Sequence, residues 1–473
     1  MLRSEGRFGD PGTLGTMGPR LTLETSAARL VGRLSRAAGR GGGTTLPGKL
    51  LWKVDPGAVD ALAARLPRGI GIVSATNGKT TTSAMAAGIL GARHRLAWNH
   101  SGANLASGIA STLLAGREAE LGLLEVDEFA LPAVMRRVRP RAVSLGNLFR
   151  DQLDRYGELE HIAERWRDAI AALPATTTLI VNADDPLVAE LAEGRAQALR
   201  FGVDDPRRAR PTLQHAADSK YCVRCGAPYA YAAAYVGHLG DYRCPSCGHA
   251  RPSLDLAARA IELEGLTASS FELVTPDGTR RVRLPLPGLY NVYNALAAAA
   301  LALALEAPLD AIVTGLEGFS AAFGRFERIE SGERGILMLL IKNPAGANEA
   351  VRTLDEGGVP PTLVIALNDA IADGRDVSWI WDVDFEPLLE RAERIVASGD
   401  RAAELALRFT YAGFPADRLE VIPDLETALD RGLELVPAGG ELAVLPTYTA
   451  MLELRAIAAD RGLVRPYWEA AKA

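Results

Sequence analysis

The chain lacks the features that mark membrane-spanning, secreted and nucleic-acid-binding proteins. Its 473 residues carry 52 basic and 58 acidic side chains, so no overall positive field attracts a polyanion. It has no run of roughly eighteen apolar residues, which predicts no membrane span. The Gly-rich first twenty residues lack the apolar core of a secretion signal. We therefore expect a cytoplasmic protein with a disordered start or an upstream start site.

Cysteine is also scarce, and its four copies are confined to one short segment. Cys222, Cys225, Cys244 and Cys247 form two C-x-x-C pairs with roughly eighteen residues between them. This spacing is typical of a zinc ribbon, in which two knuckles supply four thiolates to one structural Zn²⁺. Two disulfides or a redox site are the alternatives. Because four thiolates complete the coordination, we expect His249, beside the second pair, at the surface.

The strongest positive signal is a candidate phosphate loop. An apolar run at 69–73 predicts a buried strand, residues 74–82 read S-A-T-N-G-K-T-T-T, and a helical pattern follows. In such a loop, backbone N–H groups and a helix N-terminus face the anion. Lys79 suits the outer phosphates, and the Thr80 hydroxyl suits Mg²⁺. Val73 stands where the usual pattern has its first glycine, so a chance Asn-Gly turn is the alternative.

Acidic residues follow the next buried-strand candidate, at 121–126. A carboxylate at the carboxyl end of a strand near a phosphate loop is well placed to hold Mg²⁺. We assign this role to Glu125 ahead of Asp127 and Glu128. A solvated acidic strand end is the alternative.

Strands alternate with helices along most of the chain, which predicts an α/β fold with a parallel sheet covered by helices on both faces. The residues after 330 repeat this alternation and predict a second, smaller α/β unit. One of its strand candidates leads into an acidic loop at 368–384 that carries five aspartates, Trp379 and Trp381. The loop is either a solvated connection or part of an interface.

Several motifs occur in the order they have in the Mur ligases. These are residues 75–81 (A-T-N-G-K-T-T), Glu125, 182–186 (N-A-D-D-P), 288–295 (G-L-Y-N-V-Y-N-A) and 324–327 (G-R-F-E). They resemble the central P-loop domain of that family, which implies ATP and Mg²⁺ as cofactors. The implied nucleotide-site residues are Thr76, Asn77, Gly78, Lys79, Thr80, Thr81, Glu125, Asn291 and Arg325. The implied domains are an extension with a helix (1–40), an ATP-binding domain (41–325) with the ribbon insert (219–252), and a C-terminal α/β domain (326–473).

A Mur-type central domain interrupted by a Cys₄ ribbon resembles one branch of the family, the synthetase subunits of lipid II isoglutaminyl synthase. Residues 341–350, 367–382 and 445–451 extend the resemblance into the C-terminal domain. It implies ATP-dependent amidation, through an acyl phosphate, of the D-isoglutamyl α-carboxyl in the lipid II stem peptide. This is a step of peptidoglycan synthesis at the inner membrane face. All four cysteines belong to the ribbon, so the ammonia is expected from a GatD-like glutamine amidotransferase subunit.

In this resemblance, an aspartate of the acidic loop completes a Cys-His-Asp triad whose other two members belong to the partner. We assign Asp376 to this role, with Asp373 as the alternative. Two alternatives exist for the whole protein. One is another Mur-like amino-acid ligase, of folylpolyglutamate or cyanophycin type. The other is a zinc-ribbon adaptor that senses a nucleotide.

Overall fold

A computed structural model describes residues 45–100, 102–151, 159–214, 217–320 and 326–465. The predicted N-terminal extension, with its helix at 21–38, and Arg325 lie outside these residues. The described chain forms two α/β units, one after the other, each built on its own sheet.

The first unit contains nine helices and eleven strands within the described residues. In chain order they are α1 Leu46–Val54, α2 Pro56–Ala64, β1 Ile70–Ser74, α3 Lys79–Gly91, β2 Leu96–Trp98, α4 Ala106–Ala115, β3 Leu121–Glu125, α5 Leu131–Val138, β4 Ala142–Leu145, α6 Leu159–Ala171, β5 Thr178–Asn182, α7 Pro186–Glu190, β6 Ala198–Val203, β7 Ala230–Val236, β8 Leu239–Arg243, β9 Leu256–Glu264, β10 Ala268–Thr275, β11 Gly278–Leu284, α8 Leu289–Ala304 and α9 Leu309–Glu317.

The second unit is smaller. Its elements are β12 Glu327–Ser331, β13 Arg334–Met338, α10 Pro344–Gly357, β14 Thr362–Ala366, α11 Glu386–Arg391, β15 Arg394–Ser398, α12 Ala402–Tyr411, β16 Leu419–Val421, α13 Leu425–Leu435, β17 Glu441–Pro446 and α14 Tyr448–Asp460. Short 3₁₀ turns lie at Pro206–Arg208, Ser378–Asp382 and Ala416–Arg418.

The first sheet has nine strands in the order β11-β10-β9-β6-β5-β4-β1-β3-β2. Strands β1 to β6 are parallel and β9 joins β6 in parallel, but β9, β10 and β11 pair antiparallel. The prediction of a parallel sheet is therefore wrong at this edge. Only two residues connect β10 to β11, and so short a connection permits only an antiparallel hairpin.

Strand β1 lies in the middle of this sheet and is buried along its whole length. Its apolar sequence is typical of a parallel strand covered on both faces. On one face Gly71 approaches Leu301 of α8 so closely that a Cβ there would lie 3.3 Å from that side chain. The carboxyl ends of β1, β3, β4 and β5 reach one edge of the sheet, where the phosphate loop begins.

The cysteine segment is inserted between β6 and β9, which are neighbours in the sheet, and contains the β7–β8 hairpin. The second unit has the order β12-β13-β17-β14-β15-β16, parallel except for the β12–β13 hairpin. The predicted class is confirmed: a central α/β unit with a Cys₄ insert, followed by a smaller α/β unit. The exact domain boundaries stay predictions.

Candidate active site

The phosphate loop brings the start of α3 to the edge of the sheet. Gly78 precedes the helix with a φ of 86°, in the left-handed region that favours glycine. A Cβ at this position would lie 1.9 Å from Oδ1 of Asn294. The backbone N–H of Asn77 donates to Asn147 Oδ1 at 2.9 Å. Only glycine fits at position 78. The conformation of the loop is fixed by its contacts with Asn147 and Asn294.

Lys79 is buried in this loop and bound by an acidic partner. Its Nζ donates to Glu128 Oε2 at 2.7 Å, and also to the carbonyl oxygens of Ala75 and Thr76. Burial acts to lower the pKa of Lys79, but the charges of Glu128, Asp127 and Glu125 outweigh it and the pKa is raised. Lys79 is therefore a charged donor at the mouth of the loop.

Thr80 and Glu125 meet at the carboxyl end of β3. Thr80 Oγ1 donates to Glu125 Oε1 at 3.0 Å, and Asn104 Nδ2 donates to the same oxygen at 3.3 Å. The backbone of Glu125 is held on both sides by the side chain of Asn99, at 2.9 and 2.7 Å. A hydroxyl and a carboxylate side by side are the oxygen ligands that Mg²⁺ prefers, so these residues fit the metal that the sequence predicts.

Three further predicted nucleotide-site residues, Thr76, Thr81 and Asn291, occupy different positions around the loop. Thr76 is buried, and its hydroxyl accepts the N–H of Phe149 at 3.1 Å, which shapes the loop. Thr81 lines a cavity beside the loop. Asn291 lies behind that cavity, where it accepts a hydrogen bond from Asn294 at 3.1 Å. Asn294 rather than Asn291 faces the cavity, so the direct contact of Asn291 with nucleotide stays a prediction.

A cavity of about 110 Å³ lies beside the phosphate loop, between it and part of the second unit. Its walls come from the loop, from the β7–β8 hairpin, from α8 and from the start of α10. The principal lining residues are Asn77, Gly78, Thr81, Phe149, Val236, Leu239, Tyr290, Tyr293, Asn294, Lys342, Gly346 and Glu349. A pocket with apolar and aromatic walls next to a phosphate loop suits the base of a nucleotide.

Sequence reasoning missed the contribution of the second unit. The side-chain amides of Asn77 and Asn343 donate to each other at 3.2 and 3.0 Å. Lys342 Nζ donates to Asp151 Oδ2 at 2.5 Å and lines the cavity. Both residues lie in the quoted segment 341–350, but nothing in that segment alone indicates which loop they meet.

The partnership of Glu128 with Lys79 was also missed. Burial acts to raise the pKa of Glu128, but Lys79 and Lys342 outweigh burial and hold the pKa low. Glu128 is therefore an ionised carboxylate that interacts with Lys79 of the first unit and with Lys342 of the second. Its position three residues after Glu125 was the available signal.

The four cysteines converge as the spacing predicted. Their sulfur atoms all lie within 4.8 Å of one another, and none forms a disulfide. The Cys222–Cys247 and Cys225–Cys244 sulfur distances are both 3.5 Å. A tetrahedral zinc with Zn–S bonds of about 2.3 Å places its sulfurs about 3.8 Å apart. The cluster therefore fits a Cys₄ zinc site and is inconsistent with the disulfide alternative.

The prediction that His249 lies at the surface is wrong. His249 is buried, with Nδ1 2.7 Å from the Tyr229 hydroxyl and Nε2 3.2 Å from Glu190 Oε2. Its own backbone carbonyl accepts the N–H of Cys244, which closes the second knuckle. The ring packs against the rings of Tyr229 and Tyr242.

The acidic loop contains one exposed aspartate without a cation partner in the described contacts, Asp376. Its carboxylate accepts the N–H of Ser378 at 2.9 Å, and hydrogen bonds from Ser378 hold its pKa below the usual range. Asp373 is buried and accepts both the N–H and the hydroxyl of Thr449. Asp369 pairs with Arg401 at 2.7 Å. The structure therefore leaves Asp376, not Asp373, available to another molecule.

Comparisons with known proteins support the family that the motifs indicate. The Mur ligase middle domain matches residues 73–237, and the MurT ligase C-terminal domain matches residues 340–451. The chain is 35% identical to the lipid II isoglutaminyl synthase (glutamine-hydrolyzing) subunit MurT of Streptococcus pneumoniae, over 94% of this chain and 99% of that protein. It is 33% identical to the corresponding subunit of Staphylococcus aureus strain N315, over 81% of this chain and 86% of that protein.

Solved structures show the same fold at lower identity. A pseudomurein peptide ligase type C from Methanothermus fervidus matches with a TM-score of 0.66 and 23% identity, over 85% of this chain and 80% of that one. The MurF ligase from Thermotoga maritima in complex with ADP matches with a TM-score of 0.60 and 15% identity, over 85% and 82%. The resemblance drawn from the motifs is confirmed, and the chain belongs to the MurT family of Mur ligases.

Proposed function

We propose that this chain uses ATP to activate the α-carboxyl of the D-isoglutamyl residue in the lipid II stem peptide, which ammonia then converts to an amide. The names of its MurT relatives, lipid II isoglutaminyl synthase subunits that work with glutamine hydrolysis, support the substrate and the nitrogen source. The observation that carries the proposal is the meeting of Lys79, Thr80 and Glu125 at one edge of the sheet.

The chemistry explains why these residues are needed. A carboxylate is a poor electrophile, so one of its oxygens must first attack the γ-phosphorus of ATP, which releases ADP and leaves an acyl phosphate. Ammonia then attacks the carbonyl carbon, phosphate leaves, and the nitrogen loses a proton. Charge develops on the phosphoryl oxygens in both steps, where fixed cations and helix N-termini stabilise it.

The residues of the loop have separate tasks in this scheme. The N-terminus of α3 and Lys79 bind the outer phosphates. To bind them, Lys79 releases its hydrogen bond to Glu128. Thr80 and Glu125 hold Mg²⁺, which, when bound, neutralises phosphate charge. Lys342 places a cation of the second unit at the same cavity. Asn343 holds the phosphate loop against the second unit through its hydrogen bond with Asn77.

The ammonia comes from a separate glutaminase, because all four cysteines belong to the ribbon. We propose a GatD-like subunit whose Cys-His pair is completed by Asp376. The apolar surface near this loop supports a docking role, since four large side chains there are strongly exposed. They are Ile371 at 69%, Trp381 at 47%, Leu407 at 51% and Tyr411 at 76%, and the Trp381 and Tyr411 rings meet edge to face.

We propose a structural role for zinc in the ribbon. Four thiolates fill a tetrahedral shell and leave no open position for catalysis. The β7–β8 hairpin next to the knuckles presents Val236 and Leu239 to the cavity. A bound ion therefore fixes one wall of the nucleotide site without taking part in the reaction.

The lipid-linked substrate places the reaction at a membrane surface, and we propose the inner face. Among the described helices, none combines the length and the apolar character needed to cross a bilayer.

A reconstituted assay tests this proposal. The chain, a GatD-like subunit, lipid II, ATP and glutamine should produce amidated lipid II, detected by mass spectrometry, with one ADP released per amide. The Lys79→Ala variant should lose both products, and ammonium chloride should replace glutamine in the wild type. Unchanged amidation by Lys79→Ala would refute the mechanism.

The same assay separates the two alternative functions. Addition of an amino acid instead of ammonia would favour another Mur-like ligase. Nucleotide binding without lipid II-dependent phosphate release would favour an adaptor.

A further inference from the structure

The first described helix, α1, has an outward face that combines apolar and basic side chains. Leu46, Leu50 and Val54 are 45%, 39% and 66% exposed. Residues four apart lie on the same side of a helix, so these three form one stripe. Lys49 and Lys53 are also exposed and lie beside the stripe, on the same side of the helix.

The opposite face of α1 is fixed to α4. Gly48 is buried, its N–H donates to Ser111 Oγ at 2.9 Å, and a Cβ at this position would lie 1.9 Å from the carbonyl oxygen of Ser107. Leu51 is only 3% exposed. So close an approach leaves α1 no freedom to rotate its apolar stripe inward.

This helix is linked to the predicted metal-binding residues through α4. Ser107 is in the first turn of α4, three residues after Asn104, whose side chain donates to Glu125 Oε1 at 3.3 Å. Leu105, at the start of α4, is 52% exposed. The inward face of α1 and the catalytic edge of the sheet are thus connected through the first turn of α4.

The composition of this face fits an anionic membrane surface. Helices that lie in the interface carry apolar residues beside Lys or Arg, and juxtamembrane lysines are attracted to anionic lipids. The chain as a whole has a formal charge of −6, so a basic, apolar spot orients it toward such a surface. Asp55 is the nearest acidic residue in sequence. Its carboxylate caps the following helix, α2, by accepting the N–H of Gly57.

We infer that the outward face of α1 docks on an anionic lipid bilayer and holds the catalytic edge next to the membrane-anchored substrate. The stripe enters the headgroup region while Lys49 and Lys53 contact lipid phosphates. So small a face gives weak, reversible binding. The choice of lipid II as the substrate rests on the proposed function, but the docking is measured without it.

Vesicle flotation tests the docking with the full chain and its partner subunit. Wild type should float with phosphatidylglycerol-containing vesicles, lose binding at high salt, and not float with pure phosphatidylcholine. The Lys49→Gln/Lys53→Gln double variant should bind about 25-fold more weakly, about fivefold for each lysine. Leu50→Asn should also weaken flotation. Leu452→Asn, at a leucine of α14 that is 40% exposed, is the matched control and should float like wild type.

An activity arm separates this inference from the proposed function. The lysine and Leu50 variants should amidate a water-soluble, short-chain lipid II analogue as wild type does, but lose rate on full-length lipid II in anionic vesicles. Wild type that floats but amidates neither substrate would refute the proposed function and leave the docking intact. Wild type that does not float, or variants that float equally well, would overturn the docking. So would self-association through α1, seen as a dimer that Leu50→Asn abolishes, in the absence of vesicle binding.

Discussion

The hydroxyl of Thr80 donates to the carboxylate of Glu125 across 3.0 Å, which joins the first turn of α3 to the carboxyl end of β3. We predict that Glu125→Gln keeps the fold but loses Mg²⁺ affinity, because an amide oxygen is a weaker ligand for a hard cation. The rate should fall about 10²-fold or more at low Mg²⁺. ADP release measured against Mg²⁺ concentration checks this, and a rate independent of the substitution at all Mg²⁺ levels would contradict it.

Gly78 is required for two separable reasons, backbone conformation and space. Gly78→Ala should abolish nucleotide binding, since its Cβ would collide with Asn294. Gly102 is the matched control, because its φ is 70° but a Cβ there would meet nothing within 4 Å. Gly102→Ala should cost only the strain of a left-handed residue, about 1–2 kcal/mol. Nucleotide titration and thermal melts distinguish the two variants, and equal effects would show that the collision is unimportant.

The ribbon should bind one zinc ion per chain. Cys225→Ser should remove most of the metal and loosen the hairpin that carries Val236 and Leu239, and the KM for ATP should rise. Ser246→Ala, inside the second knuckle but without a sulfur, is the control and should keep the metal. Zinc content by elemental analysis, measured beside ATP kinetics, checks both statements. A metal-free protein with a normal KM would argue against the structural role.

Asp376 and Asp373 should behave differently when their charge is removed. Asp376→Asn should lose glutamine-dependent amidation and keep the ammonium-dependent reaction, because in the proposed scheme only the partner's triad uses that carboxylate. Asp373→Asn should instead lower the free energy of unfolding, by about 1–3 kcal/mol, since Asp373 ties the loop to Thr449. Assays with each nitrogen source and thermal melts separate the outcomes. The reverse pattern would move the triad assignment to Asp373.

Asp184 gives the protein a pH-dependent stability. It is fully buried, and burial raises its pKa to about 6 against the opposing charge of Arg251. The folded state therefore holds a proton that the unfolded state releases between about pH 4 and 6, so stability falls as pH rises through this window. The two-unit shift corresponds to about 3 kcal/mol at most.

Asp184→Asn should remove this contribution, because an amide does not titrate but can still accept the hydrogen bond from Tyr293. Denaturant unfolding of both proteins at several pH values between 4 and 6 measures the effect. Parallel stability curves would show that Asp184 does not titrate in this range.

The parts of the fold that the sequence predicts are local ones. The strands predicted at 69–73 and 121–126 are observed as β1 and β3 within one residue at each end, because an apolar run bounded by turn residues depends on near neighbours alone. The zinc-type cluster was predictable for the same reason, since each C-x-x-C pair forms its knuckle within a few residues.

The parts that escaped prediction depend on contacts between distant segments. Lys79 and Glu128 are 49 residues apart, and Asn77 and Asn343 are 266 apart. Lys79 could have met Glu125, Asp127 or Glu128. The pairing of β1 with β3 decides which carboxylate it contacts, and no local sequence pattern encodes that pairing. The burial of His249 likewise depends on contacts with Tyr229 and Glu190, which lie far from it in sequence.

The origin of the phosphate oxygen tests the central claim most directly. With ¹⁸O in the α-carboxylate of the substrate, ATP and ammonium chloride, attack on the γ-phosphorus transfers one carboxylate oxygen to phosphate. We predict one ¹⁸O atom in each inorganic phosphate released with the amide, and none from the Lys79→Ala variant. Unlabelled phosphate released with the amide, or AMP and pyrophosphate in place of ADP and phosphate, would contradict activation through an acyl phosphate.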